Sequence, residues 1–380
     1  NGFAPKVIAP LGVANQGGYN NTALNARAGH RFDNNAEIEA SFMRAEGLNL
    51  LTGYSINDVN SRQFVNQMVG TSLVWDMLDN WRSTLGFGQT RDESSFLGSP
   101  VSENNTVINT TRWNASWLNQ LKLSDKHSAT FGTDYRVDEV DGNMNYTKSS
   151  RYDVGVFSEL HSQVFKNHFL NGSLRWDRNQ AFGDYVTGNI GWRFNWDYGL
   201  SAFASFGNAF KAPTFNDLYA PLSWGGGNPN LKPEQSTSVE TGVAGNHDLA
   251  QWQLRAYHTD IDQLIAWKPV NPSDLYSIWL PSNVNKAQID GLELEVSTEI
   301  FGWRNKLNGS LLSPVDREMH TQLINRSNRT LSYDISRTIA SFDLGAAVLA
   351  QGERFGDQYE TNKINGFVTL DFRTAYHIDK

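Results

Sequence analysis

The 380-residue chain contains no cysteine, so neither a disulfide nor a thiolate metal site can form. That composition fits an envelope protein exported through an oxidising space. The chain also lacks any apolar run near the roughly 18 residues that a membrane-spanning helix requires. Leu344–Ala350, among the longest, is less than half that length. There is no basic run, and a net charge of −8 with a pI of about 5.5 argues against nucleic-acid binding. No Gly-x-Ser-x-Gly or His-Glu-x-x-His occurs and the eight histidines are scattered, so enzymatic chemistry has no motif to stand on. No secretion signal opens at Asn1, which reads as a mature chain or one that starts late. Mean hydropathy of −0.48 suggests a soluble protein. That reading is unsafe, because strands with one lipid face and one polar face give a far weaker signal than a membrane helix.

What is abundant is alternation. Aromatic residues make up 12% of the chain. Val186, Gly188, Ile190, Trp192, Phe194 and Trp196 alternate with Thr187, Asn189, Gly191, Arg193 and Asn195. Leu292, Leu294, Val296 and Ile300 alternate with Glu293, Glu295, Ser297 and Glu299. Val368, Leu370, Phe372, Tyr376 and Ile378 stand opposite Asp371, Arg373 and His377. A period of two is the signature of strands with two different faces. The apolar sets carry almost no charge at mid-strand, while the polar sets mix both signs with Asn, Ser and Thr, as a hydrated lumen would.

Short polar turns recur near 33–35, 79–80, 124–126, 165–167, 195–198, 247–248, 301–303 and 338–340. Between them lie longer Gly/Asn/Ser-rich excursions, for example 47–68, 89–107, 208–234 and 312–329. Soluble β-proteins have no reason to sort turns by length onto two sides, whereas transmembrane barrels do. Trp75, Trp81, Phe194, Trp196, Tyr198, Phe301 and Trp303 lie beside the short turns, where an interfacial girdle belongs. The expectation is an all-β, transmembrane antiparallel β-barrel, with eight short turns and eight long loops giving about 17 strands. An odd, unclosed set would leave bare edges in hydrocarbon, so strands are expected to be missing from this chain. Residues 1–380 are read as one incomplete barrel domain.

The most specific stretch is 207–242. It contains Phe210-Lys211-Ala212-Pro213, then Asn228-Pro229-Asn230-Leu231 followed by Lys232-Pro233-Glu234. Physically, this is a strand ended by proline, a loop pinned by Gly and Pro, and a returning strand opened by Glu234 and continued through Glu240. The stretch resembles the FKAP…GNPNLKPE loop of the TonB-dependent outer-membrane receptors. Asn285-Lys286-Ala287-Gln288-Ile289-Asp290-Gly291-Leu292-Glu293 is similar to a later strand return in that family. The resemblance covers essentially the whole chain. It implies strands 4 to 20 of a 22-stranded barrel, with the plug domain, TonB box and terminal strands absent.

Phe42–Asn49, Tyr152–Phe157, Leu174–Asp177 and Gly352–Phe355 most resemble the vitamin B12 (cobalamin) transporters of that family. What the resemblance implies is a bacterial outer-membrane importer of a scarce large ligand, driven by the TonB–ExbB–ExbD complex through the plug. Outer-membrane lipid and lipopolysaccharide would surround it, and no cofactor or catalysis is implied. One barrel position carries over as a ligand contact: the arginine opening the returning strand near 323–335 matches Arg326, whose bland alternative is a surface ion pair. Tyr54, Phe96, Trp224, Tyr276 and Trp279 are further loop aromatics suited to a large ligand or to the membrane rim. Calcium sites known among cobalamin transporters are not expected, since 16–20 and 50–54 contain no acid. A ferric-siderophore receptor is the alternative ligand class. Haem is disfavoured because 214–227 holds no histidine and His320 stands alone, and a passive porin lacks the motif.

Overall fold

The computed structural model describes residues 18–52, 59–97, 105–221, 225–271, 277–283 and 286–378. Alternating side chains make strands wherever a turn lets the chain reverse. The first six are Tyr19–Arg31 (β1), Glu37–Thr52 (β2), Val59–Leu78 (β3), Trp81–Leu97 (β4), Thr106–Ser124 (β5) and His127–Gly142 (β6). The next six are Ser150–Phe165 (β7), His168–Asn179 (β8), Gly183–Asn195 (β9), Leu200–Lys211 (β10), Glu234–His247 (β11) and Ala250–Asp262 (β12). A loop hairpin, Ile265–Pro269 (β13) with Trp279–Asn283 (β14), precedes Ala287–Ile300 (β15) and Trp303–Asp316 (β16). Thr321–Gln322 (β17) adds briefly to β16 before Arg329–Ile339 (β18) and Phe342–Gln351 (β19). A second loop hairpin, Arg354–Phe355 (β20) with Lys363–Ile364 (β21), leads to Phe367–Tyr376 (β22).

Apart from the two loop hairpins, these strands form one 18-stranded antiparallel sheet. It consists of seventeen long strands and the two-residue β17, so the expected strand number is met. Among the described residues no pairing joins β1 to β22, and the sheet is not closed. No described helix is long and apolar enough to cross a membrane.

The short turns lie where the sequence places them, and several are closed by residues with positive φ: Asn35 at 63°, Asn167 at 77°, and Phe301 with Gly302 at 52° and 75°. Asn and Gly tolerate that region; Phe301 occupies it with its ring 90% exposed. The long excursions differ from expectation. Residues 47–52 and 59–68 are paired strand, with Leu48 opposite Gln63, and β4 runs through 89–97 before β5 opens at Thr106. Polar residues there stay extended because each strand still finds a backbone partner beside it, whatever its side chains contact. One connection on the long side is short, residues 180–182 between β8 and β9.

The register keeps each face uniform. Ile190, Leu174 and Val186 on one face are 57%, 59% and 56% exposed, whereas Asp138, Asp153 and Asp177 on the other are buried. At the short-turn end the apolar face carries stacked rings: His30 on Phe32, Trp81 near Phe131, His168 on Phe194, Phe194 on Trp196 and Phe342 on Tyr376. Ten residues along the same strands, the face turns charged: Trp81 to Arg91, His168 to Arg178, Phe194 to Asp184. At ~3.3 Å per residue and a tilt near 40°, ten residues rise ~25 Å, the height of a barrel's apolar band. Two polar side chains on this face, Ser83 and Asn119, are fully buried beneath indoles. Trp117 Nε1 donates to Ser83 Oγ at 2.8 Å and Trp81 Nε1 donates to Asn119 Oδ1 at 3.0 Å.

Leu174 lies midway between the girdle and the charged ring. Leu174→Arg is expected to cost about 2–4 kcal/mol of folding free energy in bilayers, and the inward Ser173→Arg far less. Denaturant titration of the protein refolded in lipid vesicles checks this, and equal losses would remove the assignment of faces.

Candidate functional site: an infolded loop on the inner wall

Between β10 and β11 the chain turns inward instead of outward. Pro213 has no N–H to continue the ladder and is fully buried. Thr214 then caps the five-residue helix Phe215–Tyr219 (α1): its hydroxyl accepts from the Asp217 amide, and Asp217 accepts in return from the Thr214 amide. This box fixes which helix face points at the wall. Phe215, Leu218 and Tyr219 pack with Val140 of β6 and with Leu231 from the returning arm, and Leu218 is only 1% exposed.

The wall beneath this cluster of side chains is charged, with Arg112, Arg136 and Arg151 sharing Asp138 and Asp153. Arg151 on β7 donates from Nη1 to the Pro213 carbonyl at 2.7 Å and stacks 4.7 Å from the Phe215 ring. Its other neighbour is Asp138, 3.6 Å away, which also receives Arg112 at 2.6 Å. Arg136 bridges Asp138 and Asp153 at 3.7 Å each, and Asn179 Nδ2 donates to Asp153 at 2.9 Å. Burying such charges is tolerated only near opposite charge, and each guanidinium here lies within 3.7 Å of an aspartate, although the Nε atoms of Arg136 and Arg151 make no hydrogen bond.

The returning arm is tied as firmly. Asn228 donates its backbone N–H to the Asp217 carbonyl at 2.7 Å and its side-chain amide to the Pro281 carbonyl. Asn283 clasps Lys232 through both backbone groups. Trp267 of β13 donates to Asp217 at 3.0 Å, so the loop hairpin closes over α1. Buried Glu234 pairs with Lys211 at 3.3 Å and accepts from the Ile265 amide at 3.0 Å. Tyr146, from the neighbouring loop, donates to Asn216 at 2.7 Å, and burial raises its phenol above the ordinary tyrosine range.

Further down the inner wall a polar recess of about 660 Å³ is lined by Glu240, Arg255, Tyr257 and Glu293. Arg255 Nε and the Tyr257 hydroxyl both donate to Glu293, at 2.8 and 3.1 Å. This arrangement fixes the polar groups of the recess against one another.

The motif residues are therefore scaffold. Phe210 stacks on Tyr185 at 4.9 Å, Lys211 and Ala212 lead into buried Pro213, and Asn228-Pro229-Asn230-Leu231 forms the arm that seats against the helix. Arg326 is exposed in the turn that follows Asn325 (φ 58°), and among the described residues it forms no ion pair. The arginine that opens the returning strand is Arg329, three residues on, because the turn at 324–325 delays the pairing. Arg326 is thus held apart from the infolded loop's network. Tyr54, Trp224 and Tyr276 lie outside the described residues. Phe96 sits under the Arg62 guanidinium at 5.7 Å, and Trp279 is half exposed at the start of β14. Sequence reasoning passed over Arg151, Asp138 and Trp267. The Thr214-x-x-Asp217 spacing was a readable capping signal, and charges at alternate positions flanking 143–149 hinted at a cross-strand lattice.

An open wall of long antiparallel strands, apolar outside and charged inside, with a loop folded inward, defines the wall of a large β-barrel protein. Residues 9–380 match the family described as TonB dependent receptor-like, beta-barrel, and the chain belongs to it. It is 31% identical over 301 residues to the vitamin B12 transporter BtuB of Photobacterium profundum, covering 79% of this chain and 49% of that protein. Against the vitamin B12 transporter BtuB of Vibrio vulnificus strain YJ016 it is 29% identical, covering 78% and 48%. The chain thus spans about half the length of these relatives. The ferric enterobactin receptor PfeA of Pseudomonas aeruginosa superposes with a TM-score of 0.83 at 17% identity, covering 97% of this chain and 63% of that one. The copper transporter OprC gives 0.80 at 15%, covering 96% and 65%. These likenesses confirm the fold. The family is one of receptors and transporters.

A Cβ on Gly227 would stand 2.4 Å from the Tyr219 nitrogen and 2.5 Å from the Leu218 carbonyl carbon. Gly227→Ala is expected to cost about 1–3 kcal/mol locally and to lift the loop. Limited proteolysis should then cut within 212–233 while the wall strands stay protected; an uncut loop would refute its tight seating.

Proposed function

We propose that this chain is the barrel wall of a bacterial outer-membrane importer that takes up cobalamin, energised through the TonB–ExbB–ExbD complex. The short-turn end would face the periplasm and the long loops the outside. The observation that carries the ligand is the 31% identity across 79% of the chain to a vitamin B12 transporter. The inner wall fits the role, since its paired charges and polar recess would keep a path hydrated without binding any one ion. The infolded loop would serve as a rigid shelf from which the outer loops rise. Uptake makes and breaks no bond, so the wall needs no catalytic group. Plug and TonB contacts would come from sequence beyond this chain, in keeping with its half-length match.

A ferric-siderophore ligand is the second reading, favoured by the shape match to the ferric enterobactin receptor over 97% of the chain. At 17% identity that match speaks to fold, so cobalamin is preferred. A passive porin would conduct steadily in single-channel recordings, whereas a plugged receptor should be nearly silent.

Titrating the full-length protein with cyanocobalamin and with ferric enterobactin separates the readings. Saturable cobalamin binding is expected, and none at micromolar ligand would sink the assignment while sparing the fold. Arg326 is proposed as a ligand contact from its exposed turn. Arg326→Ala should weaken cobalamin binding roughly tenfold, about 1.4 kcal/mol.

A further inference from the structure

The outward face of β1–β5 carries a groove of about 700 Å³ that ligand uptake leaves unused. Ala26, Ala28 and Ala40 form its floor, and Phe42, Phe87 and Trp113 stand up around it. The floor is built by register: Ala28 faces Ala40, and Ala26 faces Phe42, which faces Val69. Groups this small on adjacent strands leave a trough in a surface that is otherwise ridged with large side chains. The trough crosses five strands, roughly 19 Å at ~4.8 Å per spacing, which is wide enough for more than one acyl chain.

One row farther toward the long-loop end the same face changes character. Arg44, Gln67 and Arg91 are successive partners across β2, β3 and β4, which puts the two arginines two strand spacings apart, roughly 10 Å. Arg91 also lies ten residues along β4 from the girdle residue Trp81, at the level where the apolar band gives way to headgroups. Arg44 donates from Nη1 to Gln67 at 3.1 Å and from Nε and Nη2 to Glu46 at 3.0 and 2.8 Å. Arg91 pairs with Glu93 at 2.7 Å. Their side chains are 42% and 46% exposed, and each guanidinium has five donors, more than these partners use.

We infer that this face seats a phosphorylated, multiply acylated glycolipid of the outer leaflet. A phosphate would lie between Arg44 and Arg91, and the acyl chains would lie in the groove below. Planar guanidinium forks suit phosphate, and an apolar trough at acyl depth directly beneath them supplies the other half of an amphiphile's seat. Glu46 and Glu93, one row above and already paired with these arginines, would repel the phosphate. A divalent cation bridging carboxylate and phosphate removes that repulsion, so occupancy should rise with Mg²⁺. The inference rests on the outer-membrane seat proposed above and on no choice of transported ligand, so cobalamin titration and lipid binding fail independently.

The test uses full-length receptor, delipidated in mild detergent, with native mass spectrometry reading retained lipid at millimolar Mg²⁺. Probes are hexa-acylated bis-phosphorylated lipid A, the same lipid dephosphorylated, and phosphatidylglycerol. The phosphorylated lipid A should be retained roughly tenfold better than either comparator, the scale of one charge-assisted contact. Arg44→Gln with Arg91→Gln should bring it down to the dephosphorylated level. Ala40→Leu, which fills the trough and leaves both arginines, should lower retention of both lipid A forms. Heat-modifiable gel migration confirms that each variant is folded. Equal retention of the three probes, or full retention by the folded double variant, would overturn the proposal.

Discussion

Backbone N–H and C=O groups in hydrocarbon have no water to bond, so a wall there must pair each strand on both sides. That demand governs the rest of this structure. From β2 to β12 the register runs strand to strand with irregularities at Asp76/Leu78, Lys122/Ser124 and Gln163/Phe165, each beside a short turn. Through the apolar band no break occurs in these ladders. A one-residue slip there would exchange the two faces, putting Glu293 and Glu295 into lipid and Leu292 and Leu294 into the lumen. Continuity of the ladder and separation of the faces are therefore one constraint seen twice.

The same pairing organises the charges. Arg255 meets Glu293, Arg373 meets Asp334, and Arg175 is clasped by Asp134 and Asp177, all across or along neighbouring strands of the inner face. These pairs place opposite charges side by side along the inner face. Where the chain departs from the wall, between β10 and β11, it borrows that lattice: Arg151 turns one donor to the Pro213 carbonyl and its face to Phe215, while Asp138 balances its charge. The loop is held inward by wall chemistry already present, with a helix cap and a hairpin tryptophan completing the closure.

Much of this was legible in the residues. Period-two alternation gave the faces, the turn residues gave the reversals, and seventeen long strands follow from both. Four things were hidden, each for a physical reason. Strand extension through 47–52 and 59–68 depends on a partner strand lying alongside, which polar composition cannot reveal. The inward fold of 212–221 and 225–233 depends on contacts far apart in sequence, Thr214 to Asp217 being its single local cue. Arg326 and Arg329 differ by three residues and by a turn, and strand boundaries respond to pairing more than to propensity. The covering of Ser83 and Asn119 by Trp117 and Trp81 was likewise invisible, since it joins side chains more than 30 residues apart.

Strand length carries a last consequence. β3 has 20 residues and β5 has 19, whereas β19 and β22 have 10 each. At ~3.3 Å per residue with a tilt near 40°, twenty residues rise ~50 Å and ten rise ~25 Å, so the shorter strands end where the apolar band does. The wall is consequently lopsided, standing ~15–25 Å higher over β2–β5 than over β18, β19 and β22. Above the Arg44–Arg91 row the outward face becomes mixed, with Glu46, Gln63 and Glu93 beside Leu48 and Val65. Opposite them, the low side is built up by the β20–β21 hairpin and the loop that carries Arg326. The space above the band is thus bounded by a paired wall on one side and by loops on the other, and a change in those loops need not disturb the ladder beneath them.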